Sequence, residues 1–232
     1  KRKETNQPDV LAYGRQYIPK LRAAGQIGNS IVYSSLVSKL SGYVKRDCLS
    51  FTEVDYSFLE QFNTTLLAEG MKVNGIALYL RTLRALFNKA IREGLISADL
   101  YPFNRFKIKH ESTISRTLTV SEMSCIASYD LPMGSKMWHH RNLFLLSFCL
   151  IGINFSDLLT LTQESIIDGR IVFRRRKTHK VYSILLQPMA NEIISHYIST
   201  GNDNIKGFIL PFIVNKNNPV ELKKDIMQAI KN

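Results

Sequence analysis

Residues Leu150–Leu186 read LIGINFSDLLTLTQESIIDGRIVFRRRKTHKVYSILL, which combines an apolar helix end, a short helix and a strongly basic hairpin. The apolar run before Gly152 is too short to cross a membrane, and glycine commonly follows the last turn of a helix. Ser156 or Asp157 is expected to cap the short helix. Residues 168–169, Asp-Gly, are a turn signal, and residues 170–176 and 181–186 are then predicted to be two paired strands.

The tip of this hairpin concentrates positive charge. Side chains of a strand alternate between its faces, so Arg174 and Arg176 are expected on one face. Arg175 and Lys177 share the other face if the strand continues that far. Cations on both faces suit contact with phosphates better than packing in a core, because arginine offers two parallel donors and lysine a point charge.

Composition indicates a folded, basic protein. The chain has 232 residues, 45% of them hydrophobic, and a net charge of +12. Residues 1–115 carry 17 lysines and arginines against 10 acidic residues, and residues 116–232 carry 14 against 9. Charge of this size in both halves is typical of nucleic-acid binding, with simple solubility as the alternative.

Cysteine usage argues against a zinc centre. The three cysteines are scattered, without a C-x-x-C or Cys/His spacing, so no zinc site is expected. No cofactor is predicted. We expect a reducing compartment, the cytoplasm, and no membrane segment.

Apolar periodicity predicts four helices in the first hundred residues, with Asn29 or Ser30 capping the second and Asp55 the third. Residues 101–116 contain Pro102 and few periodic apolar positions, and are predicted to be an interdomain linker. Thr119 and Glu122 form a capping box that opens a second module over residues 117–232. The predicted fold is mainly α (α+β), with a four-helix module at residues 1–100 and a small antiparallel β-hairpin in the second module.

Several stretches in this order resemble the tyrosine recombinase, or phage integrase, family. They are YLRTLRALFNKAIREGLI with YPF, then GINFSDLLTL, DGRIVFRRRKTHK, ILLQPMANEIISHY and FILPFI. The nearest branch is the integrases of conjugative and mobilisable transposons. The resemblance implies a SAM-like core-binding domain followed by the first half of an integrase catalytic domain. It also implies that the H-x-x-R box and the nucleophilic tyrosine lie beyond the point where this sequence stops.

The family's reaction gives roles to individual residues. Its tyrosine attacks a DNA phosphate and forms a 3′-phosphotyrosyl link, while fixed cations stabilise the charge of the phosphorane without a metal. By resemblance Lys177 is the general acid that protonates the leaving 5′-oxygen, with a solvated turn lysine as the alternative. Lys180 is the second candidate for this role, although its position after the turn favours a phosphate contact. Asp157 matches the acidic residue that orients the site, and it is equally compatible with a plain N-cap.

Asn154 departs from the pattern, because most family members have arginine there. Asparagine donates a neutral hydrogen bond and brings no charge, and losing a charge-assisted bond costs about 1.5–3 kcal/mol. We expect Arg175 to supply the missing cation, since strand alternation would place it beside Lys177. Tyr182 and Tyr197 are expected to be packing residues.

The basic residues outside the predicted catalytic set are candidates for DNA contact. On and before the fourth helix the cations crowd the non-apolar positions, where a solvated helix face is the alternative. Asn74 and Tyr79 are candidates to reach base edges, and Asn74 is also a candidate N-cap. The full set of predicted DNA contacts is Lys39, Lys45, Arg46, Lys72, Asn74, Tyr79, Arg81, Arg84, Lys89, Arg116, Arg174, Arg176 and Lys180.

The resulting hypothesis is a site-specific recombinase that cuts and rejoins duplex DNA. The resemblance implies a tetramer on paired DNA sites, whereas the chain alone is compatible with a monomer. A non-catalytic DNA-binding protein on the same fold is the alternative, favoured by Asn154 and by the absence of the tyrosine motif. An RNA-binding helical protein has only the charge in its favour.

Overall fold

The computed structural model describes residues 8–200, 207–213 and 219–231. The chain divides into two compact units, Lys1–Ser115 and Arg116–Asn232. The expectation of a mainly helical protein with a small antiparallel sheet is confirmed. The sequence also predicts a helix over residues 188–200 that ends at Gly201, and this glycine lies outside the described residues.

The first unit contains four helices, α1 (Val10–Ala23), α2 (Ile27–Val44), α3 (Tyr56–Ala68) and α4 (Val73–Arg92). Asp55 caps α3 as predicted, since its carboxylate accepts a hydrogen bond from the backbone N–H of Phe58 at 2.8 Å. The predicted caps of α2 are wrong, because this helix begins three to four residues earlier, with Gln26 at the N-cap position. Ser30 is instead fully buried, and its hydroxyl donates to the carbonyl of Ile27 at 2.8 Å.

The core of the first unit is apolar and rich in aromatic rings. Phe51 and Phe87 meet edge to face with ring centroids 4.8 Å apart, which is a favourable geometry for aromatic pairs. Part of the segment predicted to be a linker belongs to this core. Phe103 and Phe106 are buried in it, and the periodicity missed them because they sit on short 3₁₀ turns and loops rather than on a helix.

The second unit contains the remaining elements, namely α5 (Val120–Ser128), α6 (Lys136–Cys149), α7 (Phe155–Leu158), β1 (Ile166–Ile167), β2 (Arg170–Arg174), β3 (Val181–Leu185), α8 (Pro188–Ser199) and α9 (Pro219–Lys231). The capping box at Thr119 and Glu122 is present and opens α5. Asp168 and Gly169 both adopt positive φ, at 49° and 69°, in the turn between β1 and β2. This turn geometry matches the twist of an antiparallel pair.

The three strands form one antiparallel sheet in the order β1-β2-β3. Ile171 pairs with Ile184, and both are buried against the helices. Phe173 pairs with Tyr182, and their rings stack with centroids 5.4 Å apart. The sheet therefore has one packed face, and it presents the connection between β2 and β3 at its end.

Candidate nucleic-acid interface

The basic turn, residues 175–180, connects β2 and β3. It is closed by two backbone hydrogen bonds, from Arg175 N–H to the Lys180 carbonyl and from His179 N–H to the Arg175 carbonyl, both at 2.8 Å. His179 adopts a positive φ of 57°, which helps this short connection to reverse the chain. The cations Arg176, Lys177 and Lys180 are exposed in this turn.

The turn changes the expected relation between Arg175 and Lys177. Strand β2 ends at Arg174, so the alternation of faces does not extend to Lys177. The prediction that strand alternation places these two side chains on one face is therefore wrong. Arg175 follows Ile171 and Phe173 at alternate positions and is half-buried, whereas Lys177 is exposed in the turn.

Asp157 fastens the basic turn to α7. This residue is 6% exposed, and one carboxylate oxygen accepts a hydrogen bond from the backbone N–H of Arg176 at 3.2 Å. The neighbouring Leu158 and Leu159 are buried in the core, which fixes the short helix that carries the carboxylate. The structure thus brings Asp157, the acidic residue expected to orient the site, into direct contact with the turn that holds Lys177.

Asn154 is the N-cap of α7, so the predicted caps Ser156 and Asp157 are wrong. The side-chain oxygen of Asn154 accepts from the backbone N–H of Ser156 at 3.0 Å and from the Ser156 hydroxyl. Asparagine is among the best N-cap residues because its short side chain reaches these N–H groups. With the oxygen engaged, the amide nitrogen of this exposed residue stays available as a donor.

The cations of the basic turn have no acidic partner among the described residues. In that part of the chain, no lysine or arginine of residues 170–180 forms an ion pair with an acidic side chain. Arg174 instead donates to the His179 carbonyl at 3.0 Å, and Arg170 donates to the Ser183 hydroxyl at 2.7 Å. A set of cations without acidic partners on one turn is an attractive surface for an anion.

On α4 the predicted contacts divide into two groups. Arg81, Arg84 and Lys72, which lies just before the helix, are exposed and form no ion pair within the described ranges. Lys89 is engaged, because it pairs with Glu93 at 2.9 Å and lies 4.7 Å above the ring of Tyr17.

The two predicted base readers on α4 are also partly engaged. Tyr79 is half-buried and packs against the core of the first unit. Asn74 is not the N-cap, since that position is Lys72. Its side-chain amide instead binds the backbone of Glu111.

The second predicted patch, around α2, is largely neutralised. Lys39 pairs with Glu69 at 2.6 Å, and Arg46 pairs with Glu53. The pKa of the Glu53 carboxyl is lowered, chiefly by its hydrogen bond to Arg46. Lys45 is exposed just after the helix, and Arg116 is exposed in a segment without regular structure.

Tyr182 and Tyr197 both take part in packing. Tyr182 stacks on Phe173, and Tyr197 is 4% exposed with its hydroxyl 2.8 Å from Nδ1 of His139. Burial raises the pKa of Tyr197 to about 12, which disfavours the phenolate that a nucleophile needs.

Two local patterns are absent from the described ranges, a cluster of metal-ligating side chains and a long apolar helix. Among those residues, no cluster of three or more histidine, cysteine or acidic residues has the proximity needed to hold a metal ion. No helix among them combines the length and the apolar character that crossing a bilayer requires.

The family comparison matches residues 9–109 to the phage integrase SAM-like domain. The N-terminal part of the chain is thus similar to a phage integrase SAM-like domain. This match covers the four helices of the first unit and the segment that follows them. No curated protein sequence matches the chain significantly.

Solved structures extend the similarity to the second unit. A lambda integrase tetramer bound to a Holliday junction aligns with 99% of this chain and 68% of its own, at 20% identity and a TM-score of 0.64. The alignment with the Tn1549 transposon integrase in complex with transposon right end DNA covers 91% of this chain and 72% of that integrase, at 16% identity and a TM-score of 0.62. The alignment with a lambda integrase dimer bound to a COC′ core site covers 97% of this chain and 81% of that integrase chain, at 20% identity and a TM-score of 0.63.

The integrase fold therefore extends over both units, and the sequence resemblance to the tyrosine recombinase family is confirmed for the fold and for the SAM-like domain. Sequence reasoning missed two side-chain contacts, the capping of α7 by Asn154 and the binding of the Glu111 backbone by Asn74. A signal existed for the first, because asparagine is among the preferred residues at the start of a helix. No local signal existed for the second, because its partner is 37 residues away.

Proposed function

We propose that this chain binds duplex DNA and serves a site-specific recombinase reaction. DNA is cut and rejoined through a 3′-phosphotyrosyl intermediate. The observation that carries the proposal is the exposed basic turn, held to α7 by the buried Asp157, in a chain with the integrase fold. This proposed activity on DNA is compatible with the cytoplasmic location that is expected from the sequence.

The proposed chemistry is an exchange of one phosphodiester for another. A tyrosine oxygen attacks the phosphorus and its phenolic proton passes to water, the bond from phosphorus to the 5′-oxygen breaks, and Lys177 gives its proton to that oxygen. Arg175 and the amide nitrogen of Asn154 stabilise the negative charge of the phosphorane, a role that fixed donors fill well. Asp157 holds the turn that carries Lys177. Rejoining reverses each step.

DNA binding is tested with this chain and a labelled duplex of about 30 base pairs. We expect Arg176→Ala with Lys180→Ala to weaken binding and to reduce the log–log salt slope by about one for each cation that no longer meets a phosphate. The matched control is Lys136→Ala, an exposed lysine at the start of α6 in the same unit. Equal binding by the double variant and the control would remove the basic turn from the interface.

The role of Lys177 is tested with a duplex whose scissile 5′-oxygen is replaced by sulfur. A thiolate leaves without protonation, so a general acid becomes dispensable. The protein used is the chain extended to the family's tyrosine motif, which supplies the nucleophile. We expect Lys177→Ala to cleave the sulfur substrate at nearly the normal rate and the oxygen substrate at least about 100-fold more slowly. A similar reduction on both substrates would reject the general-acid role.

A non-catalytic DNA-binding protein is the alternative, and the neutral Asn154 favours it. The same extended chain separates the two functions. If duplex DNA is bound but neither substrate forms a covalent adduct with the protein, the fold serves binding alone.

A further inference from the structure

The backbone of Glu111 is fastened to α4 by a single side chain. The amide nitrogen of Asn74 donates to the Glu111 carbonyl at 2.8 Å, and the Glu111 N–H donates to the amide oxygen of Asn74 at 3.1 Å. Both backbone polar groups of one residue are thus satisfied, in the way that a neighbouring strand would satisfy them.

This attachment is the last one along the segment within the first unit. Phe103 and Phe106 are buried, and Ile108 packs partly against the same core. After Glu111, residues 112–118 are all exposed and have no regular structure, and Ile114 is 95% exposed. The apolar anchoring therefore ends at Ile108, and the Asn74 amide extends it by three residues.

The position of Asn74 on α4 makes this contact possible. Lys72 is the N-cap, and its carbonyl accepts the first backbone bonds of the helix, from Gly75 at 2.9 Å and Ile76 at 3.1 Å. The side chain of Asn74, in the first turn of the helix, is not needed for capping. Its two polar atoms are therefore able to bind a segment that passes the helix N-terminus.

We propose that Asn74 is a positioning residue that sets the point at which the interdomain linker leaves the SAM-like domain. Its effect on DNA rests on the proposed function, whereas its effect on the linker does not. With the anchor, the free segment comprises residues 112–118, which reach at most about 25 Å when extended. Without it, the free segment begins at residue 109, and the limit rises to about 35 Å.

The linker effect is measured by amide hydrogen exchange of this chain without DNA. We expect Asn74→Ala to speed exchange at Glu111 about tenfold, as for the removal of one hydrogen bond, and to leave the interior of α4 unchanged. Asn74→Asp keeps the hydrogen-bond acceptor but removes the donor, so the exchange rate at Glu111 should increase less than in Asn74→Ala. The control is Asn88→Ala, an exposed asparagine on the same helix. Unchanged exchange at Glu111 in Asn74→Ala would overturn the proposal.

The effect of Asn74→Ala on DNA affinity distinguishes a positioning role of Asn74 from a role in reading bases. Effective concentration falls roughly as the −3/2 power of linker length, so Asn74→Ala should weaken binding to a duplex of about 30 base pairs only about twofold, whatever its sequence. A reduction that varies with base sequence, together with unchanged exchange at Glu111, would instead make Asn74 a base reader. If the unaltered chain fails to bind DNA, the proposed function fails, and the exchange experiment still decides the anchor.

Discussion

At the scale of single residues, Asn154 caps α7, and the proposed function gives its amide nitrogen a second role as a donor to a phosphate. Its oxygen caps α7, and this fixes the direction of the amide nitrogen. A side chain held by its own helix needs no further ordering when it meets a phosphate, which lowers the entropic cost of the contact. In the proposed function, this preorganisation would partly offset the missing charge of the neutral asparagine.

The two roles of Asn154 are separable by substitution. Aspartate caps a helix as well as asparagine does but has no N–H donor, so Asn154→Asp should keep the stability of the second unit within about 0.5 kcal/mol and weaken DNA binding. Asn154→Ala should weaken binding and also cost about 1 kcal/mol of stability. Urea unfolding and duplex binding measure the two effects. Full DNA affinity in Asn154→Asp would show that the amide nitrogen is not used.

His139 gives the second unit a pH-dependent stability. Its pKa is lowered, first by burial and then by the neighbouring His196 and His140, so the fold favours the neutral ring. The unfolded chain binds the proton more readily, and stability therefore decreases as the pH falls below about 6.5. We expect the free energy of unfolding of His139→Gln to change less with pH than that of the unaltered chain between about pH 7.5 and about pH 5.5.

Trp138 is the chain's single tryptophan and reports this change directly. Its ring centroid lies 5.1 Å from that of His139 and 4.8 Å from that of His196, so its fluorescence follows unfolding of the second unit. The comparison with His139→Gln removes the contribution of carboxylates that titrate in the same range. An identical pH dependence in both proteins would contradict the role of His139.

At the scale of elements, α1 and α2 approach each other through Gly14. A β-carbon at this position would lie 2.7 Å from Cγ2 of Val37, which is closer than van der Waals contact allows. Val37 is buried and β-branched, so its side chain has little freedom to move within a helix. The glycine is needed for helix packing rather than for a turn.

Gly14→Ala is therefore expected to destabilise the first unit, although alanine has the higher helix propensity. Overpacking costs about 1–3 kcal/mol, which exceeds the gain of about 1 kcal/mol in propensity over most of that range. Gly42→Ala, on α2 with open space around its β-carbon, is the matched control and should be neutral or stabilising. Thermal unfolding followed by circular dichroism measures both, and a more stable Gly14→Ala would contradict the close approach.

At the scale of the whole molecule, ion pairing distinguishes two sets among the basic residues predicted for the site. Lys39, Arg46 and Lys89 have acidic partners and form the paired set, and exposed pairs of this kind contribute little to stability. The unpaired set has no ion pair within the described ranges and is expected to carry the DNA-binding charge. It comprises Lys72, Arg81, Arg84, Arg176, Lys177 and Lys180.

The salt dependence of duplex binding tests this division. If the cations of the unpaired set each neutralise a phosphate, log K should fall with log salt at a slope of about −5. Replacing Lys72, Arg81 and Arg84 by alanine should reduce the slope by about 3, whereas replacing the paired set should change it by less than about 1. Equal effects of the two triple variants would show that ion pairing does not select the contacts.

The elements were more predictable from the sequence than the site. The capping signals at Asp55 and Thr119 and the turn at Asp168 were correct because each depends on neighbours within a few residues. The prediction that Arg175 and Lys177 share one face of a strand was wrong, because the length of a strand depends on its partner strand and on the turn between them. Phe106 was missed because the periodicity of a helix says nothing about loops that pack on a core.

The sequence by itself determined the helical periodicity, the local caps and the charge, since these follow from interactions between residues close in the chain. Only the tertiary structure decided which cations are paired, that Asp157 holds the basic turn, and that Asn74 binds Glu111. Those last two contacts join residues that are 19 and 37 positions apart, and they form only when the burial of each core has fixed the backbones that carry them.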